Sequence, residues 1–227
     1  FGSKKYGGRK MKTKEGIATE IAKKEGLTPE ERKEELLRAG VDFHKIPGGP
    51  ILIVTWVIWV ILCLLPTIAK NPHLGFLDFA LDLYAIEIPM IIVWISAALL
   101  VAIFVVLPAR RVTLSRRKKG GCGDEHHTVV LVKDGLYKVV RHPEYTFYLW
   151  LTILVSIVMS PAWGFTILTI IGDILIIIAL EILAKQEEEF NIGKWGDEYR
   201  QYMKEVPRFN FIKGLWNLRK KRYENGD

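Results

Sequence analysis

Apolar residues in this chain gather into four blocks separated by charged stretches. The first covers Pro50–Ala69 and the second residues 86–107. Each is near the roughly 20 residues a helix needs to cross a ~30 Å hydrocarbon core. The third and fourth blocks, residues 145–160 and 162–184, are divided only by Ser160-Pro161. The third is short for a span, and residues 142–144 would lengthen it. Proline disfavours helical backbone in the residue before it, so this stretch reads as a hairpin of two helices rather than one long helix. One such block would suit the buried helix of a soluble protein. Four together predict an all-α integral membrane protein with about four transmembrane helices.

Charge placement orients that prediction. Of 32 lysines and arginines, 12 fall in residues 1–49, 9 in 108–144 and 10 in 185–227, all on one side of a four-span chain; Lys70 alone falls on the other. Positive residues favour the cytoplasmic face, so both termini are expected there. A basic face beside anionic lipid headgroups accounts for the net charge of +7 and calls for no nucleic-acid partner. The chain divides into a basic cytoplasmic extension (1–49), two spans with a basic loop (50–127), a region built on the hairpin (128–214) and a basic tail (215–227). Cys63 lies in the first block and Cys122 in a glycine-rich loop, so neither a disulfide nor a cysteine metal site is expected. The first apolar run begins near residue 50, so no signal peptide is expected.

Local signals fill in the polar stretches. Residues 1–14, rich in lysine and glycine, read as mobile. A helix is expected over residues 29–39: Thr28 caps it, Pro29 suits its first turn and Glu31 sits at the capping-box position. The extension reads first as a solvated tail, with a membrane-surface or protein-binding arm as the functional alternative. Residues 70–85, carrying Phe76, Phe79 and Tyr84, suggest an interfacial helix. Arg116-Arg117-Lys118-Lys119 marks a helix end against headgroups. Gly120, Gly121 and Gly123 suggest a hinge but no phosphate loop. His126 and His127 are adjacent, which is poor spacing for one metal.

Two polar clusters flank the hairpin. Tyr137, Arg141-His142-Pro143 and Tyr145 stand at its start; Glu187-Glu188 stand at its end. A hairpin returns both to one membrane face. Ionisable groups there are costly and are usually functional. Further on, Trp195, Tyr199 and Tyr202 recur at intervals of four and three, so they share one face of a helix. Asp173, in mid-span, reads equally as a polar contact in a tunnel or as a hydrogen-bonded packing residue.

The set Leu131-Val132, Gly135, Tyr137, Arg141-His142-Pro143 and Tyr145, then Glu187-Glu188, Trp195-Gly196, Glu198-Tyr199, Tyr202 and Val206-Pro207, resembles the isoprenylcysteine carboxyl methyltransferase family. That family belongs to a wider group of membrane methyltransferases acting on phospholipids and isoprenylcysteines. Phe211-Ile212-Lys213-Gly214 resembles its tail. The resemblance covers residues 128–214 and implies S-adenosylmethionine as methyl donor, bound at the cytoplasmic membrane face. It marks Tyr137, Arg141, His142, Pro143, Tyr145, Glu187 and Glu188 as cofactor-pocket residues, and it implies a lipophilic or prenylated acceptor entering from the lipid. Phe147 departs from the pattern, standing where the family usually has glycine.

Residue chemistry suits that reading. A sulfonium donor needs alignment and exclusion of water rather than a metal or a covalent intermediate, and alignment can supply much of the acceleration. A carboxylate acceptor would be oriented by Arg200 or Arg208, the catalytic candidates. The isoprenylcysteine carboxylate is the first choice of acceptor, with a lipid amine or thiol as the alternative. An NADPH-dependent membrane reductase and a noncatalytic membrane subunit remain open as rival classes.

Overall fold

A computed structural model describes residues 16–24, 26–41, 49–80, 86–119 and 129–225. Nine α-helices occur among the described residues: α1 (Ile17–Ala22), α2 (Pro29–Arg38), α3 (Gly49–Ala69), α4 (Met90–Lys119), α5 (Pro143–Val158), α6 (Ser160–Trp163), α7 (Ile167–Trp195), α8 (Asp197–Glu205) and α9 (Phe211–Asn225). Short 3-10 turns span Pro72–Ala80 and Gly135–Lys138. No β-strand occurs among the described residues. Helices α3 and α7 are long and apolar enough to cross a membrane; α5 and the Met90–Phe104 part of α4 are shorter apolar helices.

The expected hairpin is present. α5 stops at Val158, Pro161 opens the single turn of α6, and Gly164 (φ 82°) reverses the chain. Thr166 then starts α7, its backbone N–H donating to Thr169 Oγ1 at 3.4 Å. Helix α3 packs on α7 where Gly172 lacks a side chain; a Cβ there would meet Trp59 Cδ1 at 3.0 Å. Trp59 Nε1 donates to Asp173 Oδ1 at 2.7 Å, and Ser156 Oγ donates to the same oxygen at 2.8 Å. Asp173 therefore joins α3, α5 and α7 as a hydrogen-bonded packing residue. Trp59, Cys63, Ile176 and Leu180 form the buried cluster around it.

Three expectations need correction. The fourth block continues as helix well past residue 184, so Glu187 and Glu188 lie within α7 rather than after it. No glycine turn or proline intervenes until Gly196, whose φ of 57° and ψ of −131° break the helix. Trp195 thus belongs to α7 while Tyr199 and Tyr202 belong to α8; the three still share one core through the break. Nor are the described residues 16–24 and 26–41 of the N-terminal extension a solvated tail. Ala18, Ile21 and Leu36 are buried with Val129, Trp195, Tyr199 and Tyr202. Thr19 Oγ1 lies 2.9 Å from the Trp195 carbonyl and 3.0 Å from Glu198 Oε2. Helix α2 has the expected Thr28–Glu31 capping box. Residues 1–14, Tyr84, Gly120, Gly121, Cys122, Gly123, His126 and His127 lie outside the described residues.

Candidate functional site

The site is assembled where three stretches of chain meet. Asp134-Gly135 turns the backbone, with φ of 59° at Gly135, into the 3-10 turn that carries Tyr137. The following residues lie against 206–209: Arg141 N donates to Pro207 O at 3.0 Å and His142 N to Arg208 O at 3.3 Å. Tyr202 Oη donates to Tyr137 O at 2.7 Å, fixing the turn to α8. The late part of α7 supplies the third stretch. The hairpin brings it beside the start of α5.

Glu188 is the anchor. Its Oε1 accepts from Arg141 Nε at 3.1 Å and Nη2 at 2.8 Å, and from Arg208 Nε at 3.0 Å. Arg208 Nη2 reaches Oε2 at 2.5 Å, and Arg208 also pairs with Glu181. Arg141 Nη1 donates to the carbonyls of Met203 and Val206 at 2.6 and 2.8 Å. That satisfies carbonyls left open at the end of α8. His142 bridges two acids, with Nε2 3.2 Å from Glu188 Oε1 and Nδ1 3.3 Å from Glu187 Oε2. A carboxylate only accepts, so only the imidazolium can donate to both.

Electrostatics agree with that protonation. Burial alone would lower the His142 pKa, but hydrogen bonds to and charges on Glu187 and Glu188 raise it above its ordinary 6.5. Glu188 follows the apolar stretch of α7. Burial alone would raise its carboxyl, yet hydrogen bonds from His142 and Arg208 and the charge on Arg141 hold it at about 2. The Glu188 side chain is 4% exposed and that of Arg141 8%, whereas Glu187 is 26% exposed. Glu188 is therefore committed to three cationic partners, and Glu187 is the more exposed of the two acids. The Tyr145 ring stacks on His142 with centroids 5.4 Å apart, and Phe209 meets the imidazole edge-on at 6.1 Å.

An apolar cavity of about 480 Å³ adjoins this cluster, lined by residues that include Ile103, Leu136, Val140, Pro143, Phe147 and Ile212. Val140 and Pro143 flank Arg141 and His142 in the chain, so the polar cluster and the cavity stand back to back. Phe147, at the departing position, lies on the cavity wall and meets Phe104 edge-on at 6.2 Å.

Of the residues singled out from sequence, Arg141, His142, Tyr145, Glu187, Glu188 and Arg208 converge. Tyr137 is buried beside them in the turn and Pro143 faces the cavity. Arg200 stands apart on the exposed side of α8, where it pairs with Asp197 at 3.0 Å. Sequence reasoning missed Glu181. Its signal was a charge inside an apolar block, two helical turns before Glu188 and so on the same face.

These features define a helical protein with membrane-length apolar segments and a buried polar cluster against a greasy cavity. Residues 123–191 match the family model described as Isoprenylcysteine carboxyl methyltransferase (ICMT) family. The matched segment contains every converging residue except Arg208, and it supports a membrane methyltransferase of the isoprenylcysteine type. No curated protein and no solved structure matches the chain.

Proposed function

We propose that this chain is a multi-pass membrane methyltransferase that uses S-adenosylmethionine on a lipophilic acceptor, first the carboxylate of an isoprenylcysteine. The observation that carries the reading is the cluster of Glu187, His142 and Tyr145 at the start of α5, whose Pro143 and Thr146 line the apolar cavity. Large apolar side chains exposed along α3 and α4, such as Ile53, Val57, Ile91 and Trp94, suit lipid contact. With α5 and α7 they make up the four spans, and both termini and the site face the cytoplasm.

The donor set fits the cofactor. S-Adenosylmethionine supplies a methyl group already activated on a sulfonium. Glu187 is the acid suited to its ammonium or ribose hydroxyls. The rings of Tyr145 and Tyr137 offer faces for a base or a cationic centre. Glu188 holds Arg141, His142 and Arg208 in register rather than meeting ligand. Arg208 has N–H donors beyond the three given to Glu188 and Glu181 that an acceptor carboxylate could take, and the apolar cavity wall would exclude water from the meeting point. Alignment of this kind is the main catalytic contribution required.

Titration calorimetry of the detergent-solubilised chain with S-adenosylmethionine tests this. Saturable heat with wild type and a loss of about 10- to 150-fold in affinity with Glu187→Gln, the worth of one charge-assisted hydrogen bond, are expected. No heat from wild type overturns the proposal.

A further inference from the structure

The last helix carries a surface that the methyl-transfer reading does not use. α9 reads Phe-Ile-Lys-Gly-Leu-Trp-Asn-Leu-Arg-Lys-Lys-Arg-Tyr-Glu-Asn, with five basic residues and one acidic one. One side is fastened to the protein. Gly214 lies so close to the Val139 backbone that a Cβ would sit 1.9 Å from the Val139 carbonyl oxygen. Asn217 Nδ2 donates to the Glu205 carbonyl at 3.0 Å. Asn210 Oδ1 accepts from Lys213 N at 2.9 Å at the helix start.

The opposite side is apolar and open. Ile212, Trp216 and Tyr223 are separated by four and seven residues, which places them on one face about half a turn away from Gly214. They are 81%, 68% and 72% exposed. Arg219 lies over the Tyr223 ring at 5.7 Å, with its Nη2 3.3 Å from the hydroxyl, so a cation borders the apolar stripe. Ile212 also lines the mouth of the apolar cavity with residues of α4 and α5. Leu99 and Trp150, which line the same cavity as Ile212, are likewise exposed apolar side chains.

We propose that α9 is an interfacial helix that lies in an anionic lipid surface at the cavity mouth, with Ile212, Trp216 and Tyr223 among the upper acyl chains. Its basic side chains engage headgroup phosphates. Three observations select lipid as the occupant. The charge is complementary to anionic headgroups, tryptophan and tyrosine suit the water–lipid boundary, and Ile212 of the stripe lines the cavity with exposed apolar residues of α4 and α5. Basic amphipathic helices with aromatic insertion bind membranes through both terms, and each basic side chain near the surface is worth about fivefold in binding. The proposal needs the chain to be membrane-embedded but does not depend on its chemistry.

The test places an environment-sensitive fluorophore on Tyr223→Cys in a Cys122→Ser background. The full chain is reconstituted in nanodiscs of phosphatidylcholine alone or with phosphatidylglycerol. Expected in anionic discs are blue-shifted emission and protection from aqueous iodide. Both are lost with Arg219→Gln/Lys220→Gln and weakened by high salt on the labelled helix with its basic residues intact, so the result does not hang on the charge variant folding. A probe that stays fully iodide-accessible in anionic discs, or that is equally buried in both lipids, overturns the proposal. So does protection that appears only when a soluble protein is added. Donor calorimetry on the same discs reads the site separately, so failure of one proposal is distinguishable from failure of the other.

Discussion

Glu188→Gln separates the architecture of the site from its ligand contacts. Glu188 is nearly fully buried and accepts from Arg141, His142 and Arg208. Removing one partner of a buried ion pair costs about 3–5 kcal/mol, because the remaining charge is left without compensation. Glutamine keeps one accepting oxygen, Arg141 keeps the Met203 and Val206 carbonyls, and Arg208 keeps Glu181. The loss therefore falls at the low end, about 3 kcal/mol, or about 6–12 °C in thermal midpoint for a chain of this length. Glu187→Gln alters a 3.3 Å contact at a half-buried position; glutamine keeps an accepting oxygen there, so the expected cost is about 1 kcal/mol. Ligand-free melts in detergent, followed by tryptophan fluorescence, compare the two. The reasoning is refuted if Glu188→Gln melts within ~2 °C of wild type, or if Glu187→Gln destabilises as much as Glu188→Gln.

Other outcomes follow from single contacts. Gly214→Ala is expected to loosen α9, seen as faster proteolysis after residue 210, because its Cβ would overlap the Val139 carbonyl. Gly193→Ala meets nothing within 4 Å and is expected to gain up to about 1 kcal/mol from helix propensity, read as a higher thermal midpoint. Phe147→Ala removes a wall of the cavity; it is expected to change the KM for acceptors of different bulk while leaving the donor Kd unchanged. His142 has a raised pKa, so its contribution is fully present below pH 6.5 and is lost as pH rises through the higher folded value. Glu188 has a lowered pKa, so its contribution is present above pH 4.5 and is lost as pH falls toward about 2. Thermal midpoints are therefore expected to be greatest between about pH 4.5 and 6.5, with His142→Asn flattening the alkaline side.

The helices and the meeting of Arg141-His142 with Glu187-Glu188 were legible because apolar block length and the Ser160-Pro161 break are local signals. What escaped was tertiary. Ala18, Ile21 and Leu36 carry too weak a pattern to reveal that their helices dock on Trp195 and Tyr202. The continuation of α7 through polar residues was hidden because hydropathy, not helix propensity, marked its end at residue 184. The division of labour between Glu187 and Glu188 was invisible, since adjacent identical residues differ only in what surrounds them. Arg208 was flagged as a cation for an acceptor, but its pairing with Glu181 needed the fold.

The most direct test of the central claim is transfer of a labelled methyl group from S-adenosylmethionine to an S-prenylated cysteine by the purified chain in nanodiscs. Label in the lipophilic fraction, released as methanol by mild base and strongly reduced at sub-saturating donor with Glu187→Gln, is the expected result. Donor binding without transfer to any prenylated carboxylate, lipid amine or thiol would contradict it.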